Sequence, residues 1–156
     1  MIQVICPVCG AALEPQGTAW RCVQGHCFDV ARQGYVNLLT VTQKHSRHPG
    51  DTREMVAARR AFLDAGWYAP IAKTLADLVR RFCPETASVL DAGCGEGYYL
   101  SQLGWVPERW GIDISRDAVR YAAARDRGAH WLTATAAHLP FADGGFDCVL
   151  SMFALT

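Results

Sequence analysis

The sequence predicts an α/β protein in two unequal parts: a small metal-stapled β module, then the first half of a doubly wound parallel sheet. Three observations carry this. Five potential metal ligands (Cys6, Cys9, Cys22, His26 and Cys27) crowd into the first thirty residues. Residues 41–84 read as a polar linker and two amphipathic helices. From residue 85 onward, short apolar strands alternate with helix-like segments behind glycine turns, the pattern of a parallel sheet. The predicted organisation is therefore 1–40, 41–84 and 85–156.

Taken in order, residues 6–40 are rich in turn residues, with only brief β-like stretches such as AWRCV and YVNLL, and cannot form a core unaided. TQKHSRHPGD (Thr42–Asp51) is polar, basic and broken by Pro49 and Gly50, hence a linker or mobile loop. Asp51 or Thr52 can cap the helix that follows, in which Met55, Val56, Phe62 and Leu63 recur at helical spacing and which Gly66 ends. Pro70 suits the first turn of the second helix. Its apolar face is Ile71, Leu75, Leu78, Val79 and Phe82, and Pro84 lies just beyond its end. Strands are then expected in SVLDA, RWGID, HWLTAT and FDCVL, with helices in YYLSQL and RDAVRYAAARD. Four strands are few for a doubly wound sheet, so the domain is expected to be incomplete.

Composition sets limits. The 156 residues carry 15 basic and 15 acidic side chains, with 51% hydrophobic residues. No apolar run approaches the ~20 residues that span a bilayer, so no membrane role is expected. The N-terminus has no secretory pattern, which places the chain in a reducing cytoplasm, where its seven cysteines read as ligands or packing thiols. Residues 1–60 hold seven Lys/Arg against four Asp/Glu and residues 61–156 eight against eleven. A mildly basic front half suits a polyanionic partner but is far from a strongly basic nucleic-acid domain.

The spacing Cys6-x2-Cys9-x12-Cys22-x3-His26, with Cys27 adjacent, is that of two zinc knuckles a dozen residues apart. Four protein ligands close the tetrahedron and leave no position for a reactive water, so the zinc is structural. Either His26 or Cys27 can be the fourth ligand, since adjacent side chains of an extended segment point opposite ways. Gly25 gives the backbone freedom that a knuckle ending at His26 needs, which favours the histidine and leaves Cys27 as the spare thiol.

VLDAGCGEGYY places Asp91 at a strand end and Gly93, Gly95 and Gly97 before a helix. Such a turn brings backbone N–H groups close to a ligand at a helix N-terminus. Asp113 closes the next strand, where a carboxylate can accept from ribose hydroxyls. The dinucleotide fingerprint needs glycine at position 98, which is Tyr98; G-x-G-x-G behind an acid is instead the form used for S-adenosylmethionine (SAM).

With these pieces placed, CPVC, C...GH.FD, GYVNLL, PGD...M..AR..FLDAG.Y.P, VLDAGCGEGYY and LPF together resemble the bacterial 23S rRNA guanine-N1 methyltransferases of the RlmA type. The resemblance runs from Cys6 to Ala154. It implies a zinc ribbon that recognises RNA, followed by the first half of a Rossmann-like class I methyltransferase sheet. It places zinc on Cys6, Cys9, Cys22 and His26, and SAM contacts on Tyr68, Gly95 and Glu96; Asp113 matches the ribose position of the wider class. Thr135 stands where many relatives carry an acid near the adenine. The implied reaction is methyl transfer from SAM to N1 of a guanine in a hairpin loop of the large-subunit rRNA, by a cytoplasmic protein for which a homodimer is consistent. No residue is singled out as a base.

The family continues beyond this point and carries proline where Leu155 stands, so the 156-residue chain alone is expected to transfer methyl groups poorly. The alternatives are a non-catalytic zinc-ribbon RNA-binding remnant and, disfavoured by Tyr98, an NAD-dependent zinc-ribbon oxidoreductase. Lys44, Arg47 and Arg53 are candidates for phosphate contacts or ordinary solvated charges. His45, His48 and His138 read as loop residues, Cys83, Cys94 and Cys148 as packing thiols, and Trp67 as core or part of the cofactor wall.

Overall fold

The computed structural model describes residues 2–154; Leu155 lies outside them. Four short strands, β1 (Val4–Ile5), β2 (Ala12–Gln16), β3 (Ala19–Cys22) and β4 (Cys27–Asp29), form an antiparallel meander in the order β1-β2-β3-β4. Two helices follow, α1 (Arg53–Asp64) and α2 (Ala69–Phe82). The remainder alternates: β6 (Ser88–Ala92), α3 (Tyr98–Ser101), β7 (Glu108–Asp113), α4 (Arg116–Arg125), β8 (His130–Thr133) and β9 (Cys148–Leu150).

The second sheet has five strands where the pattern predicted four. β5 (Tyr35–Asn37) joins it at the edge, parallel to β8 with Tyr35 opposite Trp131, and the order is β5-β8-β7-β6-β9. A tight turn makes this compact: Ala31 N–H donates to the Tyr35 carbonyl at 2.8 Å, so the chain leaves β4 and enters the parallel sheet almost at once. β9 pairs only with β6 among the described residues.

The two faces of the parallel sheet are covered differently. Side chains alternate along each strand. Val89 and Trp131 point to the helical side, where they pack with Ala76, Val79, Leu100, Val119 and Ala122. Leu90, Trp110, Ile112 and Leu132 point the other way, and what covers them is the ribbon: Ile2, Val4, Leu13, Cys6 and Cys22 belong to the same buried cluster. The crossover from β8 to β9 contains no helix. In its place β1 bridges to Phe141 antiparallel to it, Ile5 N–H donates to the Pro140 carbonyl at 2.8 Å and Ala142 N–H to the Gln3 carbonyl at 3.1 Å. Trp20 stands edge-on to Trp110 with ring centroids 6.1 Å apart. Full burial of a Val, Leu or Ile is worth about 1.5–3 kcal/mol. Val4 and Leu13, both nearly fully buried, are among the residues whose burial holds the ribbon on the sheet.

The connector differs from its sequence pattern in which apolar residues it buries. Thr52 caps α1, its side chain accepting from Met55 N–H, and Val56 and Leu63 are buried, whereas Met55 and Phe62 are exposed. On α2 the buried residues are Ala72, Ala76 and Val79, while Ile71, Leu78 and Phe82 are exposed. Small side chains let the helix lie close to its neighbours, and the large ones are turned outward. No helix among the described residues is long and apolar enough to cross a membrane.

Candidate functional site

Two sites are built by this fold. In the ribbon, the turns after β1 and β3 bring Cys6, Cys9, Cys22 and His26 together, with one ligand atom from each lying within 4.8 Å of the others. Both turns rest on a glycine in the left-handed region: Gly10 N–H donates to the Cys6 carbonyl and Gly25 N–H to that of Cys22. Cys9 Sγ to Cys22 Sγ is 3.7 Å, Cys6 Sγ to His26 Nδ1 3.6 Å and Cys22 Sγ to His26 Nδ1 3.3 Å. A tetrahedron with Zn–S of about 2.3 Å and Zn–N of about 2.0–2.1 Å has edges of about 3.5–3.8 Å, so the four atoms fit zinc. Burial pushes the Cys22 thiol up, but contacts from the His26 backbone and ring outweigh it and bring the thiol down to about 6, toward the thiolate that binds metal. Cys27 is exposed on β4, opposite Arg21, and is not among the converging ligands.

The second site is a cavity of about 710 Å³ at the carboxyl ends of β8, β7, β6 and β9, within the usual size range for a small-molecule pocket. Tyr68, Gly93, Gly95, Glu96, Asp113 and Thr135, scattered over the sequence, all line it; Asp91 and Gly97 do not. The Asp113 carboxylate organises the rim, one oxygen accepting from Gly95 N–H at 2.9 Å and the other from Ser115 N–H at 2.8 Å. Gly95 has φ +55, and a Cβ there would meet nothing within 4 Å, so the turn opens on its ligand side. Glu96 is 2% exposed and ion-paired to Arg125, which also reaches Asp64 at the end of α1 at 2.9 Å. This network fastens the glycine turn to α4 and the connector.

Asp91 lies behind the turn, 1% exposed, with no hydrogen-bond partner for either carboxylate oxygen among the described residues. Burial, and secondarily the Asp113 carboxylate, pushes it up to about 7. An orphaned buried acid and an open glycine turn fit SAM, whose sulfonium and ammonium groups are cationic. Sequence reasoning missed Asp51 and Arg59, which line the cavity, and Arg125. Asp51 was visible only as a helix cap; its carbonyl accepts from Ser115 Oγ at 2.8 Å, which fixes the linker end over β7. Trp67 is 71% exposed and is neither core nor cavity wall; His45, His48 and His138 are exposed.

With Tyr98 buried where a dinucleotide site would need its third glycine, the cavity fits SAM rather than a dinucleotide, and it is built on a class I methyltransferase-like sheet joined to a Cys3His zinc ribbon. The family described as RlmA, N-terminal, a zinc ribbon, matches residues 4–47, and the methyltransferase domain family matches residues 89–156. The 23S rRNA (guanine(748)-N(1))-methyltransferase of Streptomyces fradiae is 41% identical over 155 residues, 96% of this chain and 54% of the relative. The chain spans about half the length of the curated relatives it matches. Among solved structures, DesVI from Streptomyces venezuelae matches with a TM-score of 0.52 at 29% identity, over 67% of this chain and 44% of that one. SAM-bound CalS10, an amino pentose methyltransferase from Micromonospora echinaspora, shares the fold with a TM-score of 0.54 at 22% identity, over 70% and 45%. Over almost its whole length the chain is thus similar to 23S rRNA guanine-N1 methyltransferases, and its ribbon is similar to that of RlmA.

Two outcomes follow from this geometry. Metal analysis of the purified chain should find one zinc per molecule, lost in Cys22→Ser and His26→Ala and retained in Cys27→Ser; loss in Cys27→Ser with retention in His26→Ala would reverse the ligand set. Asp91 holds its proton in the folded state up to about pH 7 but releases it near pH 4 when unfolded. Its contribution to stability therefore falls as pH rises between those values, and the penalty is fully present above pH 7. Asp91→Asn should raise the Tm of the cofactor-free protein at pH 8 by several degrees, with the gain vanishing near pH 4; a gain independent of pH would contradict a buried, ionising Asp91.

Proposed function

We propose that the protein transfers the methyl group of SAM to N1 of a guanine in a hairpin loop of 23S rRNA, in the cytoplasm where ribosomes are made. The observation that supports this most is the convergence of Tyr68, the glycine turn, Asp113 and Thr135 on one cavity beside a ribbon that resembles those of rRNA methyltransferases. In this reading the free lone pairs of Asp113 take the ribose hydroxyls and the Thr135 hydroxyl faces the adenine. The turn from Gly93 to Gly97, with Glu96 and Tyr68, surrounds the methionine part, while Asp91 supplies negative charge behind it.

SAM supplies an electrophilic methyl group. The chain's own task is to hold the acceptor nitrogen in line and to exclude water, which accounts for much of the rate in such transfers. Guanine N1 carries a proton that must leave, and a target in a loop suits an RNA base that can be splayed out of its stack. Lys44 and Arg47 on the segment before α1 and Arg53 at the start of α1, all exposed, are proposed to meet RNA phosphates.

Deleting the gene in its host should remove one N1-methylguanine from 23S rRNA, because the methyl blocks Watson–Crick pairing and so stops reverse transcription. The stop should vanish and the methylated nucleoside should fall by one per ribosome in mass analysis. An unchanged set of N1-methylguanines would contradict the proposal.

A further inference from the structure

SAM carries a cationic sulfonium, a cationic ammonium and one carboxylate, and the cavity wall is biased toward the two cations. Asp51, Glu96 and Asp113 line it, and Asp91 is buried behind the glycine turn. The turn itself offers a carboxylate little. Gly93 and Cys94 N–H both donate to the Ile112 carbonyl, Gly95 N–H to Asp113 and Gly97 N–H to the Cys94 carbonyl, so four of the five N–H groups from 93 to 97 are already spent. An anion entering such a cavity needs a cation to offset the acids around it.

Among the described residues, Arg59 is the one basic side chain that lines the cavity. Helical spacing puts it there. Val56 and Leu63, the buried residues of α1, lie three positions before and four after it on one face, and Leu63 shares the cavity wall. That face is fixed at both ends: Ser115 Oγ donates to the Asp51 carbonyl at 2.8 Å just ahead of α1, and Arg125 joins Asp64 to Glu96 at its end. Arg59 lies between these anchors and within electrostatic reach of Asp113. Burial pushes the Asp113 carboxyl up against the bonds from Ser115 and Gly95, Asp51 adds to the push, and Arg59 counters it.

The Arg59 guanidinium is half exposed and engaged on one side only. Nη1 donates to Asp51, and its other donors have no protein partner among the described residues. Arg125, by contrast, is committed to Glu96 and Asp64 and does not line the cavity.

We propose that Arg59 binds the carboxylate of SAM with the part of its guanidinium fork that Asp51 leaves open, and that Asp51 holds the fork in position. The assignment rests on the SAM reading of the cavity. A planar fork matches a carboxylate, and a fork already held by one anion loses less side-chain freedom when a second docks.

The test uses the full chain and calorimetry with two probes: S-adenosylhomocysteine, and its decarboxylated form, which keeps the amine and the adenosine. Arg59→Gln and Arg59→Lys both keep a long side chain that suits a helix. Loss of a charge-assisted bond at a half-exposed site predicts that Arg59→Gln weakens S-adenosylhomocysteine about tenfold and the decarboxylated probe by less than about twofold. Arg59→Lys, which keeps the charge without the fork, should fall between wild type and Arg59→Gln for the first probe alone. The assignment is overturned if Arg59→Gln binds S-adenosylhomocysteine as wild type does. It is equally overturned if both probes weaken by the same factor, which would leave Arg59 as wall and no more. Failure of both probes to bind wild type would overturn the SAM reading itself, and the assignment with it.

Discussion

The apolar contact between the ribbon and one face of the parallel sheet is the interaction on which the rest of the molecule depends. A doubly wound sheet must be covered on both faces. Here α2, α3 and α4 cover one, and on the other the helix that could have lain between β8 and β9 is absent, so Leu90, Trp110, Ile112 and Leu132 meet Ile2, Val4 and Leu13. The dependence runs both ways. A ribbon of about thirty residues is too small to hold itself together without metal, and two of its zinc ligands, Cys6 and Cys22, are buried in the same cluster as the sheet residues. The ribbon is thus a structural layer of the methyltransferase domain, beyond any part it has in gripping RNA.

From this contact the geometry of the cavity follows. Leu90 and Ile112, which face the ribbon, are next in sequence to Asp91, buried behind the glycine turn, and Asp113, which accepts from Gly95 N–H at its rim. On the opposite side the Glu96–Arg125–Asp64 network ties the glycine turn to the connector helix. The linker between ribbon and connector is anchored at its end by the Ser115–Asp51 bond. The glycine turn and the linker end are therefore each fixed to an element remote from it in sequence.

Sequence alone revealed those features whose physics is local. The Cys6–His26 spacing encodes two knuckles, G-x-G-x-G encodes an open turn, and Thr52 and Gly66 encode the ends of α1, each within a few residues. The ribbon's place on the sheet was not legible, because Leu13 and Val4 look like any half-buried strand residues until their partners, about a hundred positions away, are known. The same holds for β5, which pairs with β8 across nearly a hundred residues, and for Arg125, a helix-end cation like any other by pattern. On α2 the hydrophobic pattern chose the largest apolar side chains, whereas close packing buried the small ones, Ala72 and Ala76.

The central claim, that the ribbon is part of the methyltransferase core, is tested most directly by removing the zinc and following both amide exchange and S-adenosylhomocysteine affinity. If the claim holds, chelation opens exchange at Leu90–Ala92 and Trp110–Ile112 together with the ribbon, and affinity falls at least about tenfold. Exchange confined to residues 4–30, with affinity unchanged, would show that the ribbon is a separate module and would contradict the account.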